Sequence, residues 1–166
     1  MSSSFELKLE RPEHERFKTI VQRIVSAGKP IIFASLPDMS SATKTSTYAP
    51  VDIQGVIAIS SATVYGRMAE ENIFANPEFL LPVEDLPVEG MDKPVSGSLY
   101  ATAYAAGLAA LVLYFLEMHL KLERSDEEVV HGKVKTLESR LENARTTDGM
   151  RAIFRALSRE LGTSEK

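Results

Sequence analysis

The chain has 166 residues, a formal net charge of −4, 44% hydrophobic and 25% charged residues, an ordinary balance for a globular domain with a core of its own. No basic stripe runs through it, which argues against nucleic acid, and the lack of cysteine excludes disulfides and thiolate metal sites. A cysteine-free chain suits a reducing compartment, and Met1 to Glu10 holds no basic segment leading into an apolar one, so the expected location is cytoplasmic.

Residues 1–11 are polar and are expected to form a flexible N-terminus. From Pro12 to Ala27 the apolar residues Phe17, Ile20, Val21, Ile24 and Val25 recur at helical spacing, and Gly28 is placed to end that helix. Ile31 to Ala34 is a short, fully apolar run and predicts a buried strand. The order of helix, tight turn and buried strand points to a parallel sheet with packed crossovers. Residues 35–50 read as a polar loop, and Val56 to Ala62 as a second buried strand. Residues 65–78 are irregular and charged. Phe79 to Leu81 predicts a third strand, stopped by Pro82, and residues 83–95 a loop.

Leu99 to Leu116 is free of charge and near the lower length limit for a membrane span. It is rich in alanine and interrupted by Thr102 and Gly107, which favours a helix buried in protein over one in lipid. No membrane association is therefore expected. Past Glu117 the charge is mixed, and Leu122 to Lys133 reads as an exposed continuation or linker. Val134, Leu137 and Leu141 suggest a short helix over 133–144. Thr146, Thr147 and Asp148 can cap a last helix with Met150, Ile153, Phe154 and Leu157 as its apolar stripe.

The segment Ser96-Gly97-Ser98-Leu99-Tyr100-Ala101-Thr102-Ala103-Tyr104-Ala105-Ala106-Gly107-Leu108-Ala109-Ala110-Leu111 resembles the serine signature of the subtilisin-like proteases, Gly-Thr/Ser-Ser-x-Ala-Thr/Ser-x-x-x-Ala-Gly-x-x-Ala. Residues 16–34 resemble the helix and strand before the family's oxyanion loop. Val56 to Val64 resembles the next strand, and Leu81-Pro82 the Ala-Pro before the serine. Met150 to Phe154 is similar to the ending of degenerate intracellular fungal members. The resemblance implies an α/β fold: a partial subtilisin-like three-layer arrangement, with a short parallel sheet packed around a long buried central helix and a helical C-terminal extension. The corresponding division is a truncated subtilisin-like domain over 12–120, and a helical extension over 121–166 that packs on it.

Spacing identifies the position of the nucleophile. In the family pattern alanine lies two residues after the serine and glycine eight after. Counting back from Ala101 and from Gly107 gives Leu99 both times. Leucine has neither a proton to lose nor a lone pair to attack with. Ser98 is the nearest substitute, but a shift of one residue turns a side chain by about 100° around a helix. Helix capping is the favoured role for Ser96 and Ser98. The oxyanion asparagine is matched best by Asp38, whose carboxylate would repel a forming oxyanion; its plainer role is a turn residue after Pro37. The family's aspartate and histidine segments have no counterpart, and His14, His119 and His131 do not resemble its histidine motif.

No Gly-rich phosphate loop, His-Glu-x-x-His or calcium-loop spacing occurs. No cofactor and no metal are expected, and Glu70-Glu71 and Glu84-Asp85 read as solvated acidic loops. A sheet cut between strands leaves an edge that was interior and uncovers one side of a helix apolar all round. The resulting expectation is a non-catalytic subtilisin-like module that binds or regulates a protein partner, or assembles with itself. Two alternatives stand beside it. One is a serine peptidase completed by a second chain with Ser98 as displaced nucleophile. The other is a repurposed enzyme of small-molecule metabolism with a pocket near Asp38, Tyr48 and Tyr100.

Overall fold

The computed structural model describes residues 11–28, 30–36, 50–68, 76–125 and 131–162. Its elements are α1 (Arg11–Ser26), β1 (Ile32–Ser35), β2 (Val56–Ala62), β3 (Phe79–Pro82), α2 (Ser98–Ser125), α3 (His131–Ala144) and α4 (Thr147–Gly162). The fold is mixed α/β, with four helices and a three-stranded parallel sheet among the described residues.

The strands lie side by side in the order β1-β2-β3. β1 pairs with the first part of β2, from Ile32 opposite Val56 to Ser35 opposite Ile59. β3 pairs with the last part, from Phe79 opposite Ile59 to Pro82 opposite Ala62. Only Ile59 is paired on both sides, so the sheet is stepped, and β2 and β3 run past the end of β1. Pro82 does not stop β3 but closes it. A proline lacks only the N–H, and an edge strand tolerates that loss.

Side-chain alternation gives the sheet two apolar faces. Ile57, Ile59, Phe79 and Leu81 face a core completed by Ala101, Ala105 and Ala109 of α2 and by Met150 and Phe154 of α4. Ala34 and Val56 face the other way and meet Val21 of α1, with Phe17, Val25 and Ile32 packed around them. The layers are therefore α1, the sheet, and α2 with α4. Only the Phe17, Val21, Val25 row of α1 is inward; Ile20 and Ile24 are exposed. A third cluster joins α2 to α3 through Leu120, Leu137 and Leu141.

The expectation of a central helix buried all round is not met. Ala101, Ala105 and Ala109 are buried, whereas Tyr104, Leu111, Tyr114 and Phe115 are exposed. The alanines recur every fourth residue and let the helix backbone approach the sheet closely on one side. The larger side chains fall on the remaining faces. α2 also continues to Ser125 as one helix, through part of the stretch read as a continuation or linker.

Candidate functional site

Two features of α2 carry chemistry: its first turn and its outer face. After β3 the chain crosses a narrow bridge, Leu86 and Val95 exchanging N–H···O bonds of 2.9 Å in both directions. Gly97 then turns into the helix with φ of 114°, a backbone region that a Cβ disfavours. Ser98 opens α2 beside the carboxyl end of β2, where open parallel sheets usually place their ligand sites.

The side chain of Ser98 is fully buried, at 0% exposure. Its Oγ lies 3.0 Å from Ser60 Oγ and accepts the Ser61 N–H at 3.2 Å. The hydroxyl thus joins the helix start to the end of β2. Ser96 Oγ accepts the Asp85 N–H at 2.8 Å and pins the preceding loop. Leu99, one residue on and about 100° around the helix, is 60% exposed. Tyr100 is at the margin of exposure. Asp38 and Tyr48 lie outside the described residues, as does the pair Glu70-Glu71.

Ser98 Oγ is buried among protein groups at the end of β2. An attacking hydroxyl must reach a substrate carbonyl and pass its proton to a nearby base. This one is enclosed and directed at other protein groups. His119 is exposed, with Nε2 3.5 Å from Glu123 Oε1. It sits 21 residues along the same helix from Ser98, about 30 Å at 1.5 Å per residue. The first-turn amides of α2 have no acceptor within the helix, as in any α-helix, but the side chain beside them is that of Leu99. Among the described residues no cluster of His, Asp or Glu is arranged to hold a metal ion.

The outer face of α2 is the larger feature. Leu99, Tyr104, Leu111, Tyr114, Phe115 and Leu122 are all exposed, and no charged residue occurs between Ser98 and Leu116. An 18-residue window of this helix has mean hydropathy 1.8, with 17% of it buried, so α2 is long and apolar enough to cross a membrane by length and composition. Water-facing helices normally carry charge on the face away from the core. A contiguous apolar face of this size marks a surface for binding.

A groove of about 630 Å³ lies between α1 and residues 52–54, bordered by Lys18, Gln22, Arg23 and Asp52. Lys18 pairs with Asp52 across it, and this hydrogen bond raises the Lys18 ammonium above its ordinary pKa. A smaller cavity of about 320 Å³ lies between α1 and the start of α4, beside Gln54, Thr146 and Arg151. Neither is lined by Ser98, Leu99 or Tyr100. No protein family, curated protein or solved structure matches the chain.

Two features of the site escaped sequence reasoning. One is the pairing of Ser98 with Ser60 and Ser61. Its only trace is a pair of serines ending an otherwise apolar strand. The other is which side of α2 stays uncovered, since an all-apolar helix offers no polar face from which to tell.

Proposed function

We propose that this chain is a non-catalytic module on a partial subtilisin-like scaffold, and that it acts by binding protein through the outer face of α2. The single observation that carries the binding role is that face: a helix without charge from Leu99 to Leu116 on which Leu99, Tyr104, Leu111, Tyr114 and Phe115 are exposed. Leaving several aromatic and leucine side chains in water costs about 1.5–3 kcal/mol each relative to burying them. A covering surface recovers much of that.

The subtilisin-like scaffold is supported by the order of elements, α1-β1-β2-β3-α2 with a parallel sheet, and by the serine-signature resemblance over residues 96–111, which open the long helix. The non-catalytic role is supported by Leu99 at the position two residues before Ala101 and eight before Gly107. It is supported further by the burial of Ser98. A peptidase completed by a second chain would still need Ser98 Oγ to leave Ser60 and Ser61 and turn outward.

Restoring the hydroxyl separates chemistry from binding. Leu99→Ser is expected to leave stability within about 0.5 kcal/mol, because the position is exposed and in no core cluster. It is also expected to give no peptide or ester hydrolysis and no labelling by a fluorophosphonate probe. Hydrolysis by this variant on its own would overturn the non-catalytic role. For the binding face, a photo-crosslinking amino acid at Tyr104 is expected to give a discrete protein adduct under native conditions. The same group at Lys135, exposed on α3, should give none. Equal or absent adducts from the two positions would sink the binding role.

A further inference from the structure

The occupant of this face can be read from the spacing of its residues. Tyr104, Leu108, Leu111, Phe115, Met118 and Leu122 follow one another in steps of four, three, four, three and four. That is the alternation of a two-helix seam, in which apolar residues repeat every 3.5 positions on average. Four of the six, Tyr104, Leu111, Phe115 and Leu122, are exposed, and Leu108 and Met118 are half-buried. The row lies beside the alanine row that packs on the sheet, so α2 carries one seam filled within the chain and a second left open.

The open row is also symmetric about Leu113. Set against an antiparallel copy of itself, Tyr104 faces Leu122, Leu108 faces Met118, and Leu111 faces Phe115, and each contact occurs twice. This is the self-complementarity that a two-fold interface requires. The antiparallel sense also opposes the two helix dipoles.

Area gives a second argument. Tyr104, Leu111, Tyr114, Phe115 and Leu122 are 55%, 48%, 56%, 61% and 64% exposed. At about 200 Å² for a full side chain of this size, they present on the order of 600 Å². The smaller residues between them add to this. Stable specific interfaces bury about 600–1,000 Å² per partner, so one copy of this helix suffices to build one.

We infer that this chain forms a homodimer through antiparallel packing of its α2 helices, with the row from Tyr104 to Leu122 as the seam. The inference rests on the proposed binding role of the α2 face and adds its occupant. A second copy supplies a helix of the same length and the same row, with no further partner needed.

The chain lacks cysteine, which makes disulfide trapping direct. Tyr104→Cys mixed with Leu122→Cys is expected to give a crosslinked dimer under mild oxidation. Either variant alone should give little, because like positions would sit about 27 Å apart along the seam. The untreated protein should sediment at twice 18.3 kDa. Phe115→Glu should return it to a single chain, weakening association at least about 100-fold by placing an unpaired carboxylate in the seam. Phe115 is exposed in the single chain, so the far-UV spectrum should not change, and the thermal transition should fall only by the concentration-dependent contribution of dimerisation; Leu122→Glu provides an independent repeat.

A wild-type protein that sediments as one chain would overturn the dimer, as would a dimer that survives both glutamate variants. Efficient trapping by Tyr104→Cys alone would overturn the antiparallel seam. Flotation with phosphatidylcholine vesicles, abolished by Phe115→Glu, would assign the face to lipid and overturn the dimer and the protein-binding role together. If the Tyr104 photo-adduct contains a different protein and the chain sediments alone, the binding role stands and the self-pairing fails.

Discussion

Phe154→Ala should lower the stability of the folded chain by about 3–5 kcal/mol, the range for deleting a buried aromatic ring. Phe154 is 4% exposed. Its ring stacks on Phe33 of β1 at 5.8 Å and meets Phe79 of β3 edge-on at 5.4 Å. One side chain of α4 therefore bridges the two edge strands of the sheet. Truncation leaves a cavity that neither ring can fill without moving its strand, and it removes both aromatic contacts, each contributing about 0.5–1.5 kcal/mol beyond area. A domain of this kind is stable by only about 5–15 kcal/mol, so the loss takes a large share. The urea midpoint of the circular dichroism transition should fall substantially with little change in slope. Leu157→Ala, one turn on at a position 39% exposed, should cost less than about 1 kcal/mol. Equal effects at the two positions would mean that α4 does not pack on the sheet through Phe154.

The presented face of α2 depends on that packing. α2 and α4 share the same core beneath the sheet, and α3 packs on α2 through Leu137, Leu141 and Leu120. Loosening α4 would free α2 to roll on its alanine row, and the exposed row would lose its fixed direction. Stability at Phe154 and association through Phe115 are thus expected to be linked, the dimer adding to apparent stability by mass action. Phe154→Ala should weaken dimerisation, whereas Phe115→Glu should leave the stability of the single chain intact.

The sheet and helix order were largely legible in the chain because short apolar runs bounded by glycine, proline and polar loops leave little choice. Val56 to Ala62 is a strand over the span read from the sequence. α1 ends at Ser26, and Gly28 closes the turn after it, its N–H bonding Val25 O at 2.9 Å. Thr146 caps α4, its Oγ1 accepting the Gly149 N–H at 3.0 Å. The illegible parts are those that need a neighbour in space. Pro82 looked like a stop because its missing N–H matters only on a strand paired on both sides. The tie from Ser98 to β2 was hidden because its donor, the Ser61 N–H, lies 37 residues away in sequence. The face of α2 left open was hidden because every residue from Leu99 to Leu116 is uncharged. Only the four-residue repeat of Ala101, Ala105 and Ala109 distinguishes the covered side, and small residues on an apolar helix fit either environment.

Gly149→Ala reverses an ordinary expectation. Replacing a helical glycine by alanine usually stabilises by about 0.5–1 kcal/mol, through helix propensity and a stiffer unfolded chain. At Gly132, near the start of α3, an added Cβ would meet nothing within 4 Å, and Gly132→Ala should give that gain. At Gly149 the added Cβ would lie 1.9 Å from the backbone oxygen of Asn143 and 2.6 Å from its carbonyl carbon. That oxygen cannot step aside freely, since it accepts the Thr146 N–H at 2.9 Å and the Thr146 hydroxyl at 2.7 Å. Thr146 in turn caps α4 through the Gly149 N–H. The clash therefore strikes the joint between α3 and α4 itself. Moving the joint also displaces Met150, which is fully buried in the core under the sheet. Overpacking against a fixed backbone costs about 1–3 kcal/mol and sometimes more, and loss of the cap adds about 1 kcal/mol. Together they outweigh the propensity gain, and a net loss of about 2 kcal/mol is expected. Urea titration of the two alanine variants should move in opposite directions from the parent. A stabilised Gly149→Ala would show that α4 enters from α3 along a different path.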